Sequence, residues 1–195
     1  LDKAAFSTLQ WGETSAQKDG TIIHQTAFVS DRHDEVLSGP HFYVGNPFYK
    51  TPRAICNNPR AYDPLDLATL PTDYQPRVNF RRACSAPIYL ARTPKVGWVS
   101  EESHNSQVSS YYRLIFRRKL SQSGERTLIP AIIPPNTGHI DSCVSIAFQD
   151  SENLLLFAAL TMSIVLDFMI KSTGKADFKP GSLSNLPFQK VQSQP

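Results

Sequence analysis

Proline is the residue that most restricts how this chain can fold. The 195 residues include 15 prolines against 9 glycines, and most of the prolines fall in the first half. Proline fixes the backbone φ angle and offers no N–H group, so it interrupts helices and the interior of sheets. Residues 54–80 carry Pro59, Pro64, Pro71 and Pro76. We therefore expect a wrapped connection there rather than a long helix or a central strand, and a helical bundle is disfavoured.

Size and composition favour one folded unit over residues 1–195. With 41% hydrophobic and 19% charged residues, the chain is neither a disordered tail nor a coiled coil. It begins at Leu1 without a leader, which predicts a piece of a longer chain. Cys56, Cys84 and Cys143 are an odd number at wide spacing, which favours buried thiols in a reducing, cytoplasmic setting over a disulfide framework.

Four segments have the pattern of strands. Thr21–Val29 and Cys143–Phe148 are short runs rich in β-branched and aromatic residues. In Tyr112–Arg117 apolar and basic residues alternate, which predicts a strand with one apolar and one basic face. Thr127–Ile133 follows after a turn at Ser121–Gly124 and completes a predicted hairpin.

The remaining segments before residue 120 carry weaker patterns. Residues 1–20 are expected to form an arm or a short helix, and residues 38–53 an ordered loop around a small strand or helical turn. Ile88–Ala91 and Val96–Val99 are short strand candidates, and a polar loop is expected over Glu101–Ser110.

A long apolar stretch near the C-terminus predicts a buried helix. Residues 152–170 are apolar nearly all round, with Asp150 or Ser151 placed to cap the first turn and Gly174 to end the helix. A membrane span needs about 20 apolar residues, and polar residues interrupt this stretch, so no membrane contact is expected. Residues 150–188 are thus predicted to be a buried helix and a terminal Leu-Pro element, and the fold class to be α/β of the α+β kind, with an irregular, proline-rich mixed or antiparallel sheet.

Charge is unevenly distributed along the sequence. The chain carries +3 overall, but residues 77–119 hold nine arginines and lysines against two glutamates, a net charge of +7 that leaves −4 for the rest. This distribution suits a protein that lays one face on a polyanion. The alternative is a solvated basic stretch that binds nothing.

Methyl transfer is the first enzymatic activity to consider. Asn46-Pro-Phe-Tyr49 is similar to the Asn-Pro-Pro-aromatic motif of amino-methyltransferases, in which the Asn binds the target amine and the ring stacks on an extruded base. Only one proline is present, and no glycine-rich turn precedes it to hold an adenosine cofactor. We therefore expect a turn with aromatic packing and no catalytic residues or cofactor in this chain, with a small methyltransferase as the alternative.

Other catalytic chemistries have even less support. His24, His33 and His41 are too far apart in sequence to define a metal site. Cys84 or Cys143 could be paired with His104 or His139 as nucleophile and base, but no signature supports the pairing.

Recognition of DNA is the function that this composition favours. Arginine and lysine neutralise phosphates, arginine with asparagine or glutamine reads base edges, and aromatic rings pack on sugars or thymine methyl groups. The candidate DNA-binding residues are Lys50, Arg53, Arg81, Arg82, Lys95, Asn105, Gln107, Arg113, Arg117, Arg118, Lys119 and Arg126.

Several segments resemble a known family. Residues 111–119, Tyr-Tyr-Arg-Leu-Ile-Phe-Arg-Arg-Lys, followed by residues 124–135, Gly-Glu-Arg-Thr-Leu-Ile-Pro-Ala-Ile-Ile-Pro-Pro, resemble the C-terminal specificity region of fused type II restriction-modification enzymes. Residues 158–170 and 183–187 resemble the helix and the Leu-Pro element of that region, and residues 38–53 are similar too. Together these segments cover more than half of the chain.

The resemblance implies a target recognition domain related to those of type I specificity subunits. Such a domain holds double-stranded DNA for an adenine-specific methyltransferase domain, which extrudes the target base and uses S-adenosylmethionine, and often for a nuclease domain. Those partners lie outside this chain, and base-contacting residues do not transfer. The Glu125–Thr127 turn is carried over only as a structural or backbone-contacting element. A protein-interaction domain with a docking helix remains a further alternative.

Overall fold

Two four-stranded sheets organise the fold, which is of the α+β class. The computed structural model describes residues 5–43, 46–47, 50–58, 60–100, 106–183 and 185–187. The strands are β1 (Ala5–Thr8), β2 (Ile22–Ala27), β3 (Glu35–Leu37), β4 (Phe42–Tyr43), β5 (Asn46–Pro47), β6 (Lys50–Pro52), β7 (Tyr62–Pro64), β8 (Val78–Arg82), β9 (Arg113–Arg117), β10 (Pro130–Ile133), β11 (Gly138–His139) and β12 (Cys143–Phe148). The α-helices are α1 (Glu13–Lys18), α2 (Ala86–Arg92), α3 (Ser151–Met162), α4 (Ile164–Ser172) and α5 (Pro180–Leu183).

The first sheet is antiparallel throughout and has the order β1-β12-β9-β10. The predicted strand at Cys143–Phe148 is confirmed as β12, and the predicted hairpin as β9 and β10. Phe116 on β9 packs with α3 and α4, whereas its neighbour Ile115 packs against the second sheet. Because β9 is covered on both faces, the expectation of one exposed basic face is wrong.

The second sheet is mixed and has the order β11-β3-β8-β2. β8 pairs with β2 and β3 in antiparallel fashion, while β11 runs parallel to β3. The sequence prediction placed residues 78–80 in a wrapped connection, but they form part of an inner strand. Pro76 lies two residues before the first residue of β8. Every residue of β8 therefore has a backbone N–H that can hydrogen-bond to a neighbouring strand. Two small hairpins, β4-β5 and β6-β7, complete the sheets.

Helix α2 replaces a strand that the sequence predicted at Ile88–Ala91. Ser85 is the N-cap residue, with an extended backbone, and Pro87 lies in the first turn. Backbone N–H groups of the first turn have no partner within the helix, so proline loses no helical hydrogen bond there. The second short candidate, Val96–Val99, forms no strand; Val96 bonds to Ser106 beside an isolated bridge between Lys95 and Gln107.

The predicted C-terminal helix is two helices. Its cap is confirmed, since the Asp150 carboxylate accepts the Glu152 N–H. Ser163 separates α3 from α4, caps α4 through the Leu166 N–H, and the two helices meet at 65°. Among the described residues, no single helix is long and apolar enough to cross a membrane, although this bent pair would pass on length and composition.

One side of the helix pair is not covered. Leu154, Phe157, Leu166 and Ile170 pack on the first sheet, whereas large apolar side chains on the other side are exposed. The expectation of a helix buried on most faces is therefore wrong, because the chain supplies a second layer on one side only.

Candidate nucleic-acid interface

The positive charge of residues 77–119 does not collect on one face. Arg82 lies 2.8 Å from Asp34, Arg118 lies near Asp141 and Asp177, and Lys119 lies 3.0 Å from Asp177. These carboxylates lie outside residues 77–119, in the part of the sequence that carries a net charge of −4. The fold therefore neutralises much of the positive charge of residues 77–119 with carboxylates from the rest of the chain.

Arg113 is the clearest case of a basic residue removed from any surface. Its side chain is fully buried, and its guanidinium donates to the Gln10 side-chain oxygen and to the Thr137 carbonyl. Burial lowers the pKa of Arg113 to about 10, which still leaves it charged near neutral pH. The expectation that Arg113 contacts DNA is wrong, because β9 lies between two layers.

The Glu125–Thr127 turn is bound to helix α4. The Asp167 carboxylate, itself buried, accepts the backbone N–H groups of Thr127 at 3.0 Å and Leu128 at 2.6 Å, and lies 3.5 Å from Arg126. The Arg126 guanidinium also donates to the Met162 carbonyl. Arg126 therefore contributes to the attachment of the turn to the helix pair.

Two arginines at the second sheet, Arg77 and Arg81, form no ion pair with a carboxylate of the described residues. Arg81 on β8 lies opposite Ile23 on β2 and Glu35 on β3, so its side chain shares a face with both. Its guanidinium donates to the Gln25 side chain at 3.3 Å. The guanidinium carbon of Arg77 stands 4.5 Å from the centre of the Phe28 ring, which is 63% exposed.

We call this group, Gln25, Phe28, Arg77 and Arg81, the Arg81 surface. Within the described part of the chain, its two arginines form no ion pair with a carboxylate. Of the acidic residues nearby, Asp31 binds His33 and Asp34 binds Arg82, whereas Glu35 lies beside Arg81 on the sheet and accepts the Thr137 hydroxyl. The surface thus combines positive charge, an aromatic face and an amide.

Two of the other candidate residues adjoin the Arg81 surface. Lys50 lies on β6 and Arg53 directly after it, and Arg77 donates to the Pro52 carbonyl at 2.9 Å, which ties β6 to the start of β8. Arg53 forms an exposed ion pair with Asp63. Pairs of this kind contribute little to stability, so a phosphate can compete for the arginine.

The remaining candidates lie away from this surface. Arg117 is half-buried at the end of β9, opposite Cys143, and the exposed Lys95 bridges Gln107 through the backbone. Asn105 lies outside the described residues. Sequence reasoning counted Arg77 only as charge and did not select Gln25 or Phe28, because only the pairing of β2 with β8 brings them together with Arg81.

A cleft opens beside the Arg81 surface. It has a volume of about 320 Å³ and is lined by Glu35 and Thr137, by Arg32 at the turn, and by the segment from Leu70 to Pro76. Thr137 donates to the Glu35 carboxylate at 3.3 Å. Burial raises the pKa of Glu35, although this bond and the charge of Arg32 oppose the shift.

The residues weighed for catalysis are not arranged for it in the described chain. Asn46 and Pro47 pair with β4, and Phe48 and Tyr49 lie outside the described residues. His139 bonds to the Ile140 carbonyl and the Ser145 hydroxyl instead of a cysteine. Burial raises the pKa of the Cys143 thiol far above its usual range, which suppresses the nucleophilic thiolate.

No metal-binding arrangement is present in the portion of the chain that is described, where no group of three or more His, Cys, Asp or Glu side chains could hold an ion. His33 contacts Asp31, His41 is buried against Ser38, and the His24 ring stands edge-on to Phe80. His104 lies outside the described residues.

Comparisons with protein-family models, with curated proteins and with solved structures give no match for this chain.

Proposed function

We propose that this chain is a double-stranded DNA recognition domain of a restriction-modification methyltransferase. In this proposal it positions the target site, while an adenine-methylating domain that binds S-adenosylmethionine, with or without a nuclease, lies outside the chain. The observation that carries the proposal is the Arg81 surface, with two arginines, an amide and an exposed ring at the paired strands β2 and β8.

The chemistry of this surface suits a duplex. Arginine and lysine bind phosphates, and arginine and glutamine form paired hydrogen bonds with guanine and adenine edges. Arg81 lies on β8 and Arg77 directly before it, about 13 Å apart along an extended backbone. This spacing lets the two arginines contact different phosphates of one DNA strand. The resemblance of residues 111–135 to specificity regions supports the same function independently of this surface.

The proposal predicts electrostatic binding that depends on salt. Labelled duplexes from a random-sequence pool are titrated with the chain at several salt concentrations, and the dissociation constant is read from fluorescence anisotropy. We expect the logarithm of the association constant to fall linearly with the logarithm of the salt concentration, by about 0.9 for each phosphate contact. A flat response would overturn the proposal.

Two matched variants locate the interface. Arg81→Ala is expected to weaken binding. It should also reduce the slope of the salt dependence by the amount that corresponds to about one phosphate contact. Lys119→Ala removes an equally charged and more exposed side chain, which follows β9 of the first sheet and pairs with Asp177. It is expected to leave both quantities unchanged. If Lys119→Ala weakens binding and Arg81→Ala does not, the interface lies on the other sheet.

The small-methyltransferase alternative requires the chain itself to bind S-adenosylmethionine. Isothermal titration of the cofactor into the chain separates the two functions. We expect no binding heat, and saturable binding would favour the methyltransferase.

A further inference from the structure

Helices α3 and α4 leave a broad apolar surface uncovered. Its members are Leu155, Leu156, Met162, Ile164, Val165, Phe168 and Met169, and we call them the helix-pair face. Ile164 is 78% exposed and Phe168 is 68% exposed. Neither residue belongs to the Arg81 surface, which lies at the second sheet, whereas the helix pair packs on the first sheet.

The exposed residues follow helical spacing. On α3 they recur at positions 155, 156, 159 and 162, and on α4 at 164, 165, 168 and 169. Residues three and four apart form one continuous stripe along a helix. A helix that is apolar on all sides is normally buried on all sides, yet the first sheet covers only one side of this pair.

The size of this surface matches a protein interface. The seven side chains leave on the order of 700 Å² of apolar area uncovered, above the ~300–600 Å² typical of the largest patch on a monomer. A standard interface takes about 800 Å² from each partner. Burying the helix-pair face against an equal surface therefore supplies the area that a stable dimer needs.

Charge at the two ends of the stripe favours a second copy as the partner. The charges along the stripe are paired: Asp167 is buried and binds the turn before β10, and the Arg126 guanidinium at the Met162 carbonyl lies 3.5 Å from the Asp167 carboxylate. Exposed Glu152 precedes the stripe and exposed Lys175 follows it. In a two-fold, antiparallel contact the same surface of both copies forms the interface, with the stripes running in opposite directions. Glu152 of one copy then lies toward Lys175 of the other, so that opposite charges face each other.

We propose that the chain forms a two-fold dimer through the helix-pair face. The apolar stripes of two copies pack against each other, and Glu152 and Lys175 set their antiparallel direction. This inference does not require the proposed function. If both hold, the dimer carries two Arg81 surfaces, which suits a target made of two symmetric half-sites.

Sedimentation velocity and light scattering over a range of concentrations test the dimer. Phe168→Glu places a charge in the centre of the stripe and is expected to raise the dimer dissociation constant at least about tenfold. Phe28→Glu is the matched control, because that ring is exposed to a similar extent on the Arg81 surface, and it is expected to leave the dimer intact. Circular dichroism verifies that both variants are folded.

A charge exchange tests the direction of the contact. Glu152→Lys and Lys175→Glu are each expected to weaken the dimer, and the double variant is expected to restore it. A monomer at all concentrations overturns the proposal, as does a dimer that Phe168→Glu does not weaken. Flotation of the monomer with phosphatidylcholine vesicles also overturns it, because the face would then be covered by lipid.

Discussion

The side-chain oxygen of Gln10 accepts hydrogen bonds from both the Arg113 guanidinium and the His139 backbone N–H. Both residues are fully buried between the two sheets. The positive charge of Arg113 therefore lies in the interior, where hydrogen bonds to neutral oxygens replace its hydration. This arrangement makes Arg113 a structural residue.

Substitution of Arg113 should affect stability and leave DNA binding unchanged. Arg113→Met keeps an unbranched side chain of similar length but removes the donor to the Thr137 carbonyl, and we expect a loss of about 1–3 kcal/mol in the free energy of unfolding. Arg113→Glu buries an unpaired anion and should cost more, about 3–5 kcal/mol. Urea denaturation measures both. If folded Arg113→Met binds duplexes with altered affinity, Arg113 has a role at the interface.

Two buried histidines predict sensitivity to acid. Burial lowers the pKa of His139 to about 3, with a further contribution from the charge of Arg113, and burial also lowers the pKa of His41. In the unfolded chain each imidazole binds a proton near pH 6.5, whereas in the folded chain both imidazoles stay neutral at that pH. The stability that these histidines provide is therefore fully present above about pH 6.5 and falls as the pH decreases below it.

The size of this effect can be measured with one variant. Each histidine contributes up to about 1.4 kcal/mol per pH unit between its unfolded and folded pKa. His139→Gln can still bond to Ser145 but cannot bind a proton, so the pH slope of the urea midpoint between pH 6.5 and 5 should be shallower than in the wild type. Equal slopes would contradict the neutral, buried state of His139.

Strands with strong local patterns were predicted well. Cys143–Phe148 matches β12 residue for residue, and β9 lies within the predicted Tyr112–Arg117. Runs that are apolar or strictly alternating leave few alternatives to a strand. Ile88–Ala91 was mistaken for a strand because four apolar residues fit either structure, although Ser85 and Pro87 are a helix-start signal.

Partners distant in sequence could not be predicted. Asp34 and Arg82 are 48 residues apart, so summing charge along the chain could not show that one cancels the other. The Arg81 surface depends in the same way on the register of β2 and β8. The helix-pair face was missed because an apolar sequence does not tell which of its sides the rest of the chain covers.

Removing the charge of Glu35 should stabilise the protein near neutral pH. Burial raises the pKa of this carboxyl. The stability that the neutral carboxyl provides is therefore fully present at a pH below its pKa in the unfolded chain, and it is lost as the pH rises through its pKa in the folded chain. Glu35→Gln keeps an acceptor for the Thr137 hydroxyl. We expect a higher thermal midpoint than wild type at pH 7.5 and no advantage at pH 4. The exposed Glu125→Gln is the control and should show no such pH-dependent gain.

The attachment of the Glu125–Thr127 turn to α4 should depend on Asp167. This carboxylate accepts the N–H groups of Thr127 and Leu128 through one oxygen. Asp167→Asn weakens both bonds by removing the charge, and we expect a loss of about 1–3 kcal/mol in unfolding free energy. Asp63→Asn breaks an exposed pair with Arg53 and should change stability by less than about 1 kcal/mol. Similar losses in the two variants, measured by urea denaturation, would show that burial of Asp167 adds nothing to its hydrogen bonds.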